Sequence, residues 1–292
     1  MNDYLVRGMS MDGFVKVVGI RSTELVRRGA EIQKTTPNAT AALGRALTAA
    51  SMMGNMQKVE NGSMTLQIRG GGPIGTITVV SDSTGNVRGC VTEGNVPLVE
   101  KYPGKLDVGA TVGTDGTLTV IRDMQMKEPY IGSVPLVSGE IGDDVTAYFA
   151  QSEQTPTACA LGVLVDRDQS VRVAGGYLVQ LLPGAPEETI DALEKGIQRA
   201  GAVTPMLEQG LTPEEILGQV MGDLGALFME TTEVSYKCYC SRNRVEQALI
   251  SLGRKELTEI AEEGKDFPVE CQFCDKIYKF TPADVRDLLK RI

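Results

Sequence analysis

The sequence predicts an α+β protein in three parts: a mainly antiparallel sheet domain around one buried long helix, a helical linker, and a small cysteine-bearing C-terminal domain. Three observations predict it. Period-two apolar patterns recur between turn clusters as far as about Pro183, one long Ala-, Leu- and Met-rich stretch interrupts them, and four of the six cysteines crowd into residues 233–292. The 292 residues then divide as 1–183, 184–232 and 233–292.

In the first part, Met64, Leu66 and Ile68 alternate with Thr65, Gln67 and Arg69, and Leu118 and Val120 alternate less cleanly with their neighbours. Leu161 to Val165 reads as a strand buried on both faces. Asp82 to Asn86, Asp115-Gly116 and Asp166 to Asp168 supply turns. Between Thr36 and Lys58 a Thr cap, Pro37 at the first helical position and small apolar residues on most of the surface predict a helix buried against sheet, ending at Asn61-Gly62. Cys90 and Cys159 lie in strand-like contexts as buried thiols, and Met52, Met53 and Met56 read as core filler.

From Pro186 to Thr232 the pattern is helical, with a capping box at Thr212-Pro213-Glu214-Glu215 ahead of Ile216, Leu217, Val220, Met221 and Leu224. Nine acidic residues face two basic ones, net −7, and six glycines fall inside the segment: Gly196, Gly201, Gly210, Gly218, Gly222 and Gly225. A glycine in a helix interior costs about 1 kcal/mol relative to Ala, so these helices depend on contacts outside themselves. Gly218 and Gly222 are the positions at which Ala would stabilise them, provided that both are helical.

The last part carries eleven charges of each sign, leaving no basic face for nucleic acid. A segment of this length rarely holds itself together without a staple. Cys238-Tyr239-Cys240 and Cys271-Gln272-Phe273-Cys274 supply one: a CxxC knuckle aims two sulfurs at one tetrahedral ion, and the CxC pair completes the shell. Four thiolates make Zn²⁺ the expected occupant, one per chain, in a closed site with no position for a catalytic water. The single spacer of the CxC half also makes a local disulfide possible but strained, and strained, exposed disulfides tend to be regulatory. A purely structural zinc module, a thiol–disulfide oxidoreductase using Cys271 and Cys274, and a redox switch all use these residues; the oxidoreductase lacks a βαβ context.

The motif Tyr236-Lys237-Cys238-Tyr239-Cys240-Ser241-Arg242-Asn243-Arg244-Val245, followed by Leu249 to Gly253, Val269 to Cys274 and Tyr278-Lys279-Phe280, closely resembles the redox-regulated chaperone family called heat-shock protein 33, or the 33 kDa chaperonin. Ile68 to Gly75 and Val87-Arg88-Gly89 match it too, so the similarity runs over essentially the whole chain. Asn243 stands where the family's first motif commonly has Glu, which leaves the four cysteines untouched. The resemblance implies an ATP-independent holdase rather than an enzyme. It would be inactive while zinc is bound by Cys238, Cys240, Cys271 and Cys274. Peroxide or hypochlorous acid, together with unfolding stress, would activate it through disulfides within the two pairs, zinc release and loosening of the linker. It also implies binding of unfolding client proteins, through a surface the sequence does not locate, and a homodimer that can exchange linker helices.

Composition agrees with that class by exclusion. The chain has no histidine, which removes Ser/His and Cys/His catalysis and His-ligated metals. Its net charge of −9 disfavours nucleic acid and anionic membranes as partners. No apolar run approaches the ~18 residues of a membrane span, and the first residues lack a signal-peptide pattern, so a cytoplasmic location is expected, where cysteines stay reduced or metal-bound. Gly70-Gly71-Gly72-Pro73 reads as a turn, because no Gly-Lys-Ser/Thr follows it or occurs elsewhere. Client protection is therefore expected to be equal with and without ATP in an aggregation assay; ATP hydrolysis that copurifies with the chain would contradict this.

Overall fold

The computed structural model describes residues 2–57 and 59–292. The chain is α+β and forms two compact units, Met1–Lys237 and Cys238–Ile292. The first unit runs β1 (Tyr4–Met9), β2 (Val15–Arg21), α1 (Thr23–Gln33), α2 (Pro37–Asn55), β3 (Ser63–Arg69), β4 (Thr76–Asp82), β5 (Val87–Val91), β6 (Glu100–Tyr102), β7 (Lys105–Leu106), α3 (Val108–Val112), β8 (Thr117–Asp123) and β9 (Tyr130–Pro135). It continues with α4 (Gly142–Gln151), β10 (Thr157–Val165), β11 (Val171–Leu181), α5 (Glu187–Ala200), α6 (Val203–Glu208), α7 (Pro213–Met221) and β12 (Leu227–Glu233). One antiparallel sheet has the order β10-β11-β2-β1-β12, the other β5-β4-β3-β8-β9.

Helix α2 lies between the two sheets, against β3, β4 and β5 on one side and β10 and β11 on the other. Every residue from Asn38 to Asn55 except Arg45 is buried, as its small apolar composition predicts. Pro37 occupies its first turn, but the Thr36 hydroxyl donates to the Val96 carbonyl, 2.8 Å, rather than capping the helix. Most of its buried polar groups are bonded: the Asn38 amide donates to the carbonyls of Val99 and Asp107, and the Ser51 hydroxyl to that of Gly85, while Asn55 Oδ1 has no partner among the described residues. The helix stops at Asn55, earlier than the sequence pattern suggests, and Lys58 lies outside the described residues.

The sheet containing β1 is apolar on both faces. Leu5, Val18, Ile20 and Leu178 join the core around α2, while their neighbours Val6, Val15, Val17, Tyr177 and Val179 point to a second core. Helices α5, α6 and α7 cover that second face with Leu193, Val203, Met206, Leu207, Ile216, Leu217, Val220 and Met221. The two-faced strand is thus β11. The stretch Leu161 to Val165, read from sequence as buried on both faces, is only partly so because β10 is a sheet edge.

Helix α7 begins at the expected capping box, the Thr212 hydroxyl accepting from the Glu215 N–H and the Glu215 carboxylate from the Thr212 N–H. Burying Ile216, Leu217, Val220 and Met221, at about 1.5–3 kcal/mol per side chain, outweighs the ~1 kcal/mol that Gly218 costs the helix. The helical pattern does not run on to Thr232. Gly222 and Gly225, at φ +49° and +61°, end it, and Leu227–Glu233 becomes β12, an edge strand on β1 favoured by Phe228, Thr231 and Thr232.

Past β12 the chain crosses to the other sheet and is sewn to the free edge of β5. The Val87 N–H donates to the Ser235 carbonyl and the Lys237 N–H to the Val87 carbonyl, at 3.0 and 2.7 Å. The Tyr236 hydroxyl donates to the Gly89 carbonyl, 2.9 Å, and accepts from the Gly89 N–H, 3.2 Å.

In the second unit, α8 (Arg242–Ser251), α9 (Arg254–Glu262), β13 (Phe267–Glu270), β14 (Ile277–Phe280) and α10 (Pro282–Leu289) close around Leu249, Leu257, Ala261, Phe280, Val285 and Leu288. Strands β13 and β14 form an antiparallel hairpin.

The glycines of α5 to α7 separate by role, which gives a three-way test. Gly218 is helical with open space where a Cβ would stand, so Gly218→Ala is expected to stabilise the chain by up to about 1 kcal/mol. Gly222, paired with it on the sequence pattern, has a left-handed φ instead, and Gly222→Ala should destabilise by about 1–2 kcal/mol. At Gly196 a Cβ would sit on the Val220 carbonyl, so Gly196→Ala should destabilise most. Urea midpoints of the three variants check the order.

Candidate metal centre

Cys238 and Cys240 lie in the irregular segment ending at Ser241, whose hydroxyl accepts the Arg244 N–H, 3.3 Å, and so starts α8. This cap keeps the helix start in place with Asn243 in its first turn. Cys271 and Cys274 occupy the turn between β13 and β14. The Cys274 N–H donates to the Cys271 carbonyl, 3.2 Å, and the Cys271 N–H to the Lys276 carbonyl, 3.1 Å, a tight knuckle that turns both sulfurs to one side.

The fold brings together the four cysteines that the spacing singled out. Their sulfurs all lie within 4.8 Å of one another, with Cys238 Sγ 3.7 Å from Cys271 Sγ and Cys240 Sγ 3.4 Å from Cys274 Sγ. A tetrahedral shell with metal–sulfur bonds of ~2.3 Å sets its sulfurs ~3.8 Å apart, so the cluster fits one soft, four-coordinate ion with little adjustment. Cys274 is buried and the other three are half-buried. Cys90, on β5, and Cys159, on β10, belong to the other unit; both are half-buried, and burial pushes the Cys159 thiol up to about 12, which keeps it protonated and inert.

The surroundings treat the sulfurs unequally. Burial raises the Cys238 thiol, partly offset by the Cys240 N–H donating to its sulfur, and burial raises Cys274 against a similar bond from the Lys276 N–H. Burial also acts on Cys240, but hydrogen bonds from the Tyr278 hydroxyl and the neighbouring thiols outweigh it and lower the group to about 7. Thiolates are the metal-binding form, so a cation entering the cluster displaces protons.

Two residues that shape the site were not singled out by spacing. Tyr278 donates to Cys240 Sγ at 3.1 Å, and the Arg242 guanidinium stacks on the Phe280 ring at 4.4 Å while donating to the Lys279 carbonyl at 2.9 Å. Tyr278-Lys279-Phe280 matches the resembled family's pattern, but nothing in a sequence marks a phenol as a cysteine's hydrogen-bond partner until the β13–β14 register is known.

Comparison with known proteins follows this geometry. A family model described as Hsp33 protein matches residues 3–281. The 33 kDa chaperonin of Alkaliphilus oremlandii (strain OhILAs) is 47% identical over 292 residues, covering 100% of this chain and 98% of that protein. That of Bacillus cytotoxicus is 44% identical over 292 residues, with both chains fully covered. The crystal structure of the 33 kDa chaperonin (heat shock protein 33 homolog) from Thermotoga maritima superposes with a TM-score of 0.90 at 36% identity, covering 100% of this chain and 99% of that one. This chain, with its four converging thiols and two antiparallel sheets, belongs to the Hsp33 family, a family of chaperones rather than enzymes.

Proposed function

We propose that the chain is a redox-regulated, ATP-independent holdase. It is off while Cys238, Cys240, Cys271 and Cys274 hold one Zn²⁺, and on when the pairs Cys238–Cys240 and Cys271–Cys274 are disulfides and the zinc is gone. The observation that carries this reading is the convergence of four sulfurs in a unit whose own buried core is six side chains. When bound, the metal supplies a cross-link worth about 10–16 kcal/mol in comparable small sites. A unit so dependent on one ion loses its fold with it. Peroxide or hypochlorous acid withdraws two electrons from each cysteine pair, the sulfurs joining and their protons leaving, and disulfide sulfur no longer serves as a thiolate ligand.

In this reading the three parts 1–183, 184–232 and 233–292 act as scaffold, cover and sensor. Helices α5 to α7 are the cover, because they lay a net charge of −5, seven acidic residues against two basic ones, over an apolar sheet face. Their loosening bares Val6, Val15, Val17, Tyr177 and Val179 to clients, whose exposed apolar segments take the helices' place. The active form is a homodimer, with linker helices available for exchange between copies. The family and the reliance on free thiols favour the cytoplasm, where thiols are kept reduced. No helix among the described residues is long and apolar enough to cross a membrane.

Two measurements test this. Reduced protein is expected to carry one zinc per chain by elemental analysis, with Ser at any of the four clustered cysteines lowering zinc affinity sharply and Cys90→Ser or Cys159→Ser leaving it unchanged; full affinity in Cys238→Ser would overturn the ligand assignment. Suppression of citrate synthase aggregation should be absent in the reduced, zinc-bound protein and present after peroxide at raised temperature, in parallel with zinc loss. Equal suppression in both states would leave a zinc-stabilised chaperone with no switch, and insulin reduction catalysed through Cys271 and Cys274 would favour an oxidoreductase.

A further inference from the structure

The hydrogen bond from Tyr278 to Cys240 sets this sulfur apart. Cys238 and Cys274 accept from backbone N–H groups, of Cys240 and Lys276, which the knuckle turns provide whatever the side chains are. At Cys240 the donor is a side-chain hydroxyl, 3.1 Å away, delivered from a different element. Strand β14 places it there: Tyr278 pairs with Val269 of β13, two residues before Cys271, and shares its strand face with Phe280. On that same face the Phe280 ring lies under the Arg242 guanidinium, which also donates to the Lys279 carbonyl and pairs with Asp284 at 3.3 Å. Arg242 follows Cys240 by two residues. One face of β14 therefore grips the CxC half at two points, sulfur and guanidinium, and fixes it against the CxxC half through contacts in which no metal takes part.

We propose that Tyr278 is a positioning residue of the sulfur cluster, whose hydroxyl holds Cys240 Sγ in place for metal binding and restrains its reaction with peroxide. The inference rests on the four-cysteine zinc reading and extends it to a group outside the ligand set. A sulfur that accepts a hydrogen bond has less lone-pair density to donate. In the reaction with peroxide that lone pair attacks one oxygen, the O–O bond breaks, hydroxide leaves and the sulfur becomes a sulfenic acid. The Cys238 thiolate then displaces a second hydroxide to form the disulfide, so two thiolates are oxidised by two electrons and one peroxide is reduced. Tyr278 thereby sets the exposure at which the switch trips, by slowing the first of these steps and by keeping the sulfur on the metal. Outer-shell partners of metal ligands are commonly worth ~10–100-fold in metal affinity.

The test uses the full chain with Tyr278→Phe, which keeps the ring and removes only the hydroxyl, and with 4-aminophenylalanine at the same position, which restores a donor. Zinc release to a chromophoric chelator is followed with and without hydrogen peroxide, and cobalt(II)-loaded protein reports the sulfur directly. Tyr278→Phe is expected to release zinc about tenfold or more faster in both conditions and to move the sulfur-to-cobalt charge-transfer bands to lower energy. 4-Aminophenylalanine should bring both back toward the parent. Unchanged release and an unchanged cobalt spectrum in Tyr278→Phe overturn the proposal while the zinc reading stands. Should Tyr278→Phe hold no metal, the amino variant decides: parent-like release supports the donor role, and equal loss overturns it. A parent protein that takes up neither zinc nor cobalt brings down the four-cysteine reading, and this inference with it.

Discussion

A five-stranded sheet with apolar side chains on both faces has to be covered twice, and the architecture of the first unit follows from how differently the two covers are made. Helix α2 closes one face from inside the core: it is buried almost all round, most of its buried polar groups are bonded there, and its small residues let both sheets approach. Gly54 shows how closely, since a side chain there would meet the Ser81 hydroxyl. The other face is closed by three helices, of which α5 and α7 are amphipathic, acidic and carry an internal glycine. Their hold is the apolar contact itself. Such a cover competes directly with any other apolar chain offered to the same face.

The second unit solves the opposite problem. Its buried core is small, and two separate chain segments converge at four thiols where a single ion could tie them. Hydrogen bonds from outside the cluster hold its sulfurs as well. Backbone donors serve two sulfurs and the β14 face serves a third, while Arg242 links the first turn of α8 to β14 and α10. The cysteine cluster is therefore shaped by its outer contacts as well as by its four sulfurs.

Much of this was legible in the sequence because it depends on local chemistry. Pro37 and the Ala-rich run marked α2, the Thr212 capping box marked α7, and the cysteine spacings marked the site, each through residues a few positions apart. The parts that were not legible depend on distant partners. Strand β12 exists because β1, more than 200 residues earlier, offers it an edge. Gly222 reads like Gly218 in the sequence, yet one ends a helix with a left-handed backbone and the other continues it. The two-faced burial of β11 and the Tyr278 bond to Cys240 both come from strand register, which no single segment encodes.

The route of the chain between α7 and the cysteine cluster has a consequence for how disorder would travel along it. From α7 the backbone reaches Cys238 only through β12, paired along β1, and through Ser235 to Lys237, sewn to the edge of β5. Disorder that begins beyond Cys238 meets these two seams before it can spread along the backbone to α5 to α7. In the proposed switch oxidation would undo the far side of the seams, whereas the seams themselves are ordinary hydrogen bonds and side-chain packing, which yield to heat rather than to peroxide. If the switch proposed above operates, the backbone along this path works as a logical AND: either stress alone stops at a seam, and the apolar face opens only when both arrive together.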